Sequence, residues 1–228
     1  MWIVGSGLLD LLLPARCGGC NRLGGLFCDS CRLAIQRLEP PLCRRCGLEL
    51  EHAGASCGCR HRLRSLASLR STGAYQGPLE KAIRRFKYDG RRPLARPLGR
   101  LIAEWVLLEG LAGDLVTCVP LHPRRQRARG YNQSELLARE AAARLGLECR
   151  FQLTRWRETP PQVGLDRASR LDNVRGAFRW RAQDLARSSV LLIDDVATTG
   201  ATLDACAAAL RAAGSGPVTG LTVARVRV

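Results

Sequence analysis

One stretch of thirteen residues, Val190–Thr202, constrains the fold of this chain more than any other. It consists of four aliphatic residues, two adjacent acids, and then a run of small and hydroxyl-bearing residues. An uninterrupted aliphatic run that ends in a Gly and Thr turn is typical of a central parallel strand covered on both faces. The sequence therefore predicts an α/β fold built on a parallel sheet.

The residues after this predicted strand indicate a ligand site. Asp194 and Asp195 fall at its carboxyl end, where open α/β sheets bind ligands. A helix is predicted over 203–213, and the residues before it offer hydroxyls and closely approachable backbone N–H groups. These groups, on Thr198, Thr199, Gly200 and Thr202, predict a phosphate site at the start of the helix. The alternative is an ordinary connection whose acids cap the helix, but capping rarely needs so many polar groups.

A dense group of cysteines precedes this region. Eight of the eleven cysteines lie between residues 17 and 59, in four pairs: Cys17 and Cys20, Cys28 and Cys31, Cys43 and Cys46, Cys57 and Cys59. Pairs separated by two residues form knuckles, and two knuckles complete a structural zinc site, so four pairs predict two sites. The segment is too short to build a large core, and metal binding would contribute its folding energy.

The fourth cysteine pair departs from the usual spacing. Only one residue separates Cys57 from Cys59, one fewer than a knuckle has. His52 or His61 is therefore an alternative ligand for the second zinc ion. Cysteines without any metal are the remaining alternative, which the spacing makes unfavourable.

The charge and the amino-terminal residues bear on partners and location. The formal net charge is +16, and 34 of the 36 basic residues are arginine, a residue suited to bidentate phosphate contacts. Such a charge attracts polyanions and makes their binding salt-dependent. Residues 2–13 are apolar, but they lack a basic leader and a small-residue cleavage site and are too short to span a membrane. We expect a short packed helix there, no membrane insertion and a cytoplasmic protein, in which clustered cysteines bind metal.

Periodicity and turn residues divide the chain into two predicted domains, residues 1–63 and 64–228. In the second domain we expect strands over 63–74, 114–121, 148–153 and 218–225, and helices over 79–86, 94–108 and 133–145. A basic loop is predicted over 87–93. The charged run around Phe86 and Tyr88 suits either a solvated face or stacking on nucleic-acid bases, with no preference between the two.

A second basic loop is predicted over 122–132, at the carboxyl end of the strand over 114–121. It carries Arg124, Arg125, Arg127 and Arg129 and is framed by proline. Four arginines at this end of a strand form an anion clamp, with a solvated loop as the alternative.

Several motifs occur together in this chain. They are the cysteine pair with its glycine at 43–47, Val-Pro-Leu-His-Pro at 119–123, Arg-Gly-Tyr-Asn-Gln at 129–133, Thr-Pro-Pro-Gln-Val-Gly-Leu at 159–165, Asn-Val-Arg-Gly-Ala-Phe at 173–178 and the stretch Val190–Thr202. Together they resemble the ComF family of competence-associated phosphoribosyltransferase-like proteins with an amino-terminal double zinc ribbon. The resemblance covers the chain from about residue 8 onward and implies a type I phosphoribosyltransferase fold, with a parallel sheet, helices on both faces and a small hood.

The resemblance also assigns roles to individual residues. Val190–Thr202 is similar to the signature for phosphoribosyl pyrophosphate (PRPP), which implies that Asp194 and Asp195 face the ribose 2′ and 3′ hydroxyls. The 5′-phosphate would then lie on Ala197, Thr198, Thr199, Gly200, Ala201 and Thr202. The basic loop resembles a pyrophosphate loop, which implies ligand contacts by Arg124, Arg127, Arg129, Gly130 and Tyr131. Residues 154–177, with Gln162 and Arg167, resemble the loop that closes over PRPP.

Two functions follow from the resemblance and stay open. The first is a PRPP- and Mg²⁺-binding protein that handles single-stranded DNA together with other competence proteins. The second is a true phosphoribosyltransferase, in which Asp194 and Asp195 orient the ribose during attack on C1′. The type I fold serves both classes of protein, and no residue is an evident general base for an acceptor, so the acceptor is not identified.

Overall fold

A computed structural model describes residues 15–157, 176–182 and 184–227. Its centre is a five-stranded parallel sheet, in the order β1-β7-β6-β2-β3. The strands are β1 (Ser68–Ser71), β2 (Leu115–Cys118), β3 (Glu148–Cys149), β6 (Val190–Ala197) and β7 (Val218–Arg225). The predicted parallel sheet is confirmed, and the aliphatic run of β6 occupies its middle position.

Alternate residues of β6 pack into two separate cores. Leu191 and Ile193 lie in a core on one face of the sheet with three helices: α2 (Gly77–Tyr88), α3 (Ala95–Leu108) and α5 (Gln133–Leu145). Val190 and Leu192 lie in a second core, on the opposite face, with α6 (Ala201–Ala212). This alternation follows from the period of a strand, and it explains why all four residues are apolar.

Two shorter α-helices lie in the described residues, α1 (Asp29–Leu33) among the cysteines and α4 (Pro123–Arg129), and two 3-10 helices cover Cys59–His61 and Arg92–Leu94. The prediction of a loop over 122–132 is therefore wrong, because most of this segment is helical. His122 caps α4 by accepting a hydrogen bond from the Arg124 backbone N–H, Pro123 occupies the first turn, and Gly130 ends the helix with a φ of 78°. These are ordinary helix start and stop signals.

A second sheet of two antiparallel strands lies apart from the main one. It pairs β4 (Leu153–Arg155) with β5 (Phe178–Trp180). The single strand predicted over 148–153 is thus split, because β3 joins the main sheet and β4 joins the small one. The two strands flank residues 158–175, and the predictions for Gln162 and Arg167 fall outside the described residues, as does the predicted helix over 2–13.

The cysteine-rich segment is attached to the α/β body by arginine side chains. Arg45 donates from Nη1 to the carbonyl oxygens of Leu63 at 2.7 Å and Leu66 at 3.0 Å. Arg85 of α2 donates to the carbonyl of Gly18 at 2.6 Å. Leu63 itself lies in the same core as Leu192. The segment therefore packs on the body, and the division at residue 63 stays a prediction.

Candidate functional site

The acid pair lies in the carboxyl-terminal half of β6, just past Ile193, the last residue that pairs with β2, and β6 continues along β7 to Ala197. The Asp194 Oδ1 atom accepts a hydrogen bond from the Ser134 hydroxyl at 2.7 Å and another from the Asp195 backbone N–H at 2.9 Å. Ser134 belongs to the first turn of α5, so this helix and β6 fix the carboxylate together. Asp195 is 7% exposed.

A lysine completes this cluster. The Lys87 Nζ atom lies 2.7 Å from Asp195 Oδ1, and both side chains are largely buried. Lys87 stands in the last turn of α2, whereas the sequence placed it in a loop. Burial by itself lowers the pKa of Lys87, but attraction to Asp195 outweighs it and raises this pKa above its usual value. Sequence reasoning missed Lys87 as a site residue, because no local pattern ties it to the distant acids.

The two carboxyl groups differ in their surroundings. Burial, followed by repulsion from Asp195, raises the pKa of Asp194 to about 7, although the Ser134 hydrogen bond and Lys87 oppose the shift. A carboxyl group with this pKa changes its charge near neutral pH. Strongly shifted carboxyl groups beside a cavity are a feature of ligand sites.

The turn after β6 is tight and leads directly into a helix. Gly200 has a φ of 83°, a left-handed conformation that side chains disfavour, and α6 begins at the next residue. The Thr199 Oγ1 atom accepts a hydrogen bond from the Ala201 backbone N–H at 3.3 Å. The twelve-residue helix α6 thus directs its amino-terminal end toward the acid pair's side of the sheet.

These groups surround one cavity of about 390 Å³. Of the residues predicted from the sequence, it is lined by Asp194, Asp195, Arg129 and the six residues Ala197, Thr198, Thr199, Gly200, Ala201 and Thr202. It is also lined by Arg125 of the predicted anion clamp and by Arg155, from the stretch predicted to close over PRPP. Further lining residues, which the sequence did not assign to a ligand site, include Lys87, Gln133 and Ser134, together with Tyr88. Four cationic and two acidic side chains therefore face this space.

The other predicted contacts lie elsewhere. Arg124 and Arg127 are exposed on α4 and do not line the cavity, whereas Arg125 and Arg129 share one face of this helix and do. Tyr131 is buried in the core, where its hydroxyl donates to the Phe86 carbonyl. Gly130 ends α4, and its carbonyl oxygen accepts from Arg92 at 2.9 Å.

The structure brings the eight predicted cysteines into two groups of four. One group is Cys17, Cys20, Cys28 and Cys31, and the other is Cys43, Cys46, Cys57 and Cys59; the sulfur atoms of each group lie within 4.8 Å of one another. Such sets of four thiols fit one tetrahedral zinc ion each. The short spacing of the last pair is accommodated because Gly58 between them has a φ of 59°. The second group is thus complete without His52 or His61.

One thiol in each group has a lowered pKa. Burial alone raises the pKa of Cys17, but hydrogen bonds from the backbone of Cys20, Cys28 and Gly19 outweigh it and lower the pKa to about 6. Cys43 has a pKa of about 6 for similar reasons, with the backbone of Cys46 as its main donor. N–H groups directed at sulfur stabilise the thiolates that zinc requires.

Fold and cysteine groups together define an α/β protein with a parallel sheet that carries an amino-terminal double zinc ribbon. The sequence of residues 8–60 matches the family model of the double zinc ribbon domain. The chain is 33% identical over 204 residues to the DNA utilization protein YhgH of Salmonella typhimurium, which covers 85% of this chain and 89% of that protein. It is also 33% identical over 206 residues to the Escherichia coli K12 protein of the same name, with the same coverage.

A third relative carries a different name. Competence protein F of Haemophilus influenzae is 32% identical over 197 residues, which cover 82% of this chain and 85% of that protein. The chain therefore belongs to the family of competence protein F and DNA utilization protein YhgH, which is the family that the sequence motifs resemble. Among the described residues, no helix is long and apolar enough to cross a membrane.

Proposed function

We propose that this chain binds phosphoribosyl pyrophosphate or a closely related ribose phosphate in the cavity at the end of β6, and that it acts in the handling of single-stranded DNA. One observation carries the first part. The acid pair, the threonine and glycine turn before α6, and Arg125, Arg129 and Arg155 all line the same space. Carboxylates suit sugar hydroxyls, a helix start suits a phosphate, and arginines suit a second phosphate group.

A buried amide supports this proposal. Gln133 is 1% exposed and lines the cavity, and its Nε2 atom has no hydrogen-bond partner among the described residues. An unpaired buried donor costs stability unless something accepts its hydrogen bond. A ligand oxygen in the cavity would do so. The volume of about 390 Å³ is also within the usual range for small-molecule sites.

Calorimetry with PRPP tests the ligand. We expect saturable heat from the parent chain and a loss of affinity of at least about tenfold for Asp194→Asn, because the amide accepts a sugar hydroxyl less strongly than a carboxylate does. Glu109→Gln, which changes an exposed acid far from the cavity, is the matched control and should bind like the parent. Absence of any heat from the parent chain would refute the ligand proposal.

Binding to DNA rests on the relatives and on charge. The relatives are named for DNA utilization and competence, and the net charge of +16 would attract a polyanion. We expect a labelled single-stranded oligonucleotide to bind with an affinity that falls steeply as salt rises. An affinity independent of salt, or no binding at low salt, would contradict this part.

Phosphoribosyl transfer is a second candidate function. The Tyr88 ring is 71% exposed at the cavity, and the Arg129 guanidinium lies 5.2 Å from its centre, which forms a platform for a planar acceptor. In such a transfer the bond from C1′ to the pyrophosphate oxygen breaks, pyrophosphate leaves with the electron pair, and an acceptor atom bonds to C1′. Arg125, Arg129 and Arg155 would neutralise the departing charge.

Release of pyrophosphate distinguishes the two functions. PRPP is incubated with the chain and a panel of bases, amines and single-stranded DNA, with the Asp194→Asn variant as the control. Release that depends on one acceptor and on Asp194 supports transfer. If PRPP binds and no acceptor gives release, the chain is a binding protein only.

A further inference from the structure

The acid pair of β6 already forms an ion pair with a cationic side chain of the protein. Lys81 and Lys87 are the only two lysines of the chain. Lys81 is exposed on α2, whereas Lys87, on the same helix, extends its ammonium group into the cavity and places it 2.7 Å from Asp195 Oδ1. The side chain of Lys87 is only 17% exposed and that of Asp195 only 10%, so solvent screens this ion pair weakly.

One oxygen of each carboxylate of the pair is bound to protein donors. Asp194 Oδ1 accepts two hydrogen bonds, from Ser134 and from the Asp195 backbone, and Asp195 Oδ1 is bound to Lys87. Mg²⁺ requires near-octahedral oxygen coordination at about 2.1 Å. An ion bound directly by this pair would lie next to an ammonium group and be repelled by it. The acid pair therefore does not fit direct coordination of Mg²⁺.

The charge of the whole cavity leads to the same conclusion. Lys87, Arg125, Arg129 and Arg155 face two acids, and Asp194 is neutral for part of the time near pH 7. The protein supplies more positive than negative charge around a ligand's phosphate groups. An anionic ligand can enter such a cavity without an accompanying divalent cation.

We propose that Lys87 is the cation of this site: it holds the Asp195 carboxylate in position for the ribose hydroxyls, so that ribose phosphates bind without a divalent metal. The inference rests on the proposed function and deepens it. Lys87 is a positioning residue in this account, because it acts on the ligand through Asp195. The second carboxylate oxygen of Asp195, for which the described residues provide no hydrogen-bond donor, can accept a hydrogen bond from a sugar hydroxyl, while Oδ1 stays on the ammonium group.

Ribose 5-phosphate is a suitable probe because it lacks the pyrophosphate that would bring its own Mg²⁺. Affinity is measured by calorimetry with EDTA and with excess Mg²⁺, for the parent chain, Lys87→Met, Lys87→Arg and the control Lys81→Met. We expect the parent and Lys81→Met to bind equally in both buffers. Lys87→Met should lose at least about tenfold in affinity in EDTA, because Asp195 loses the ammonium group that positions it. The hydrogen bond between the sugar and this charged carboxylate, which is worth about that much, would then be weakened. Added Mg²⁺ should restore part of it, and Lys87→Arg should lose less.

A second measurement uses the folded parent chain and does not depend on a variant that folds poorly. The ¹⁵N signals of lysine ammonium groups are recorded before and after addition of ribose 5-phosphate in EDTA, and Lys81→Arg assigns them. We expect the Lys87 signal to shift and the Lys81 signal to stay.

The outcomes separate this inference from the function on which it rests. Binding by the parent chain that needs Mg²⁺, or equal affinities of Lys87→Met and the parent in EDTA, would overturn the role of Lys87 and leave ribose phosphate binding intact. An unmoved Lys87 signal at saturating ligand would do the same. Failure of the parent to bind ribose 5-phosphate and PRPP in either buffer would overturn both proposals.

Discussion

Replacing Asp194 by asparagine should stabilise the protein at neutral and alkaline pH. The pKa of this carboxyl group is raised from its ordinary value of 3.8 to about 7, so the folded chain holds its proton over a range in which the unfolded chain has lost it. The folded state then binds more protons than the unfolded state, and stability falls as pH rises from about 4 to about 7. Three pKa units correspond to about 4 kcal/mol, all of which is lost above pH 8.

The asparagine variant removes this cost while keeping the local hydrogen bonds. Its amide oxygen can still accept from the Ser134 hydroxyl and from the Asp195 backbone, which now meet Asp194 Oδ1. We therefore expect Asp194→Asn to be more stable than the parent by about 2–4 kcal/mol at pH 8. Between pH 8 and pH 6 this difference should shrink by roughly 1 kcal/mol, because the parent takes up a proton in that interval and the variant does not.

Urea unfolding of zinc-loaded protein at pH 6 and pH 8 measures both quantities. The titrating groups that do not interact with Asp194, including the thiols of Cys17 and Cys43, contribute equally in parent and variant, so their contributions cancel in the difference. Asp195→Asn is the contrasting variant. It leaves the buried Lys87 ammonium without its carboxylate and should destabilise the chain by about 3 kcal/mol. An Asp194→Asn variant that is no more stable than the parent at pH 8, or a gap that does not change with pH, would refute the reasoning.

The expected gain in stability also bears on function. Asp194 is a buried acid that costs the fold free energy at neutral pH, and an amide would satisfy the same two donors. A purely structural role does not explain such a destabilising group, whereas a ligand site that accepts hydrogen bonds from sugar hydroxyls does explain it. Asp194→Asn should thus gain stability and lose affinity for PRPP, so that one variant separates the effect of Asp194 on stability from its effect on ligand binding.

The sequence alone predicted the main architecture, because the relevant signals are local. The aliphatic run of β6 predicted a central strand, and α5 and β7 were predicted with the bounds that the structure has, Gln133–Leu145 and Val218–Arg225. The cysteine pairs predicted two sites and left a histidine open as a ligand of the second, and the structure brings the cysteines together in two groups of four. In each case the sequence signal lies within one helix, one strand or one short segment of the chain.

What the sequence could not predict depends on contacts between distant segments. Lys87 meets Asp195 only because α2 packs beside β6, and no spacing rule connects the two residues. The choice among the arginines of 124–129 depends on helical geometry, which places Arg125 and Arg129 on one face. Proline at the start and glycine at the end signalled that helix, but the glycine was interpreted as part of a ligand loop.

Two further predictions concern the zinc ribbon and its contact with the body. Cys57→Ser should lower bound zinc from two ions per chain to about one by atomic absorption, while His52→Ala should keep two, because each group of four thiols is complete without a histidine; equal zinc loss in both variants would contradict the assignment. Gly47→Ala should destabilise the chain by about 2 kcal/mol or more. Gly47 has a φ of 66°, and a Cβ atom there would lie 2.5 Å from the Leu69 carbonyl oxygen, which belongs to β1 and cannot move without disturbing the sheet. Gly54→Ala is the matched control: its φ of 89° imposes similar backbone strain, but a Cβ atom would meet nothing within 4 Å. Thermal unfolding should therefore show a clearly larger decrease for Gly47→Ala, and equal decreases in the two variants would mean that the ribbon does not pack on β1 at this point.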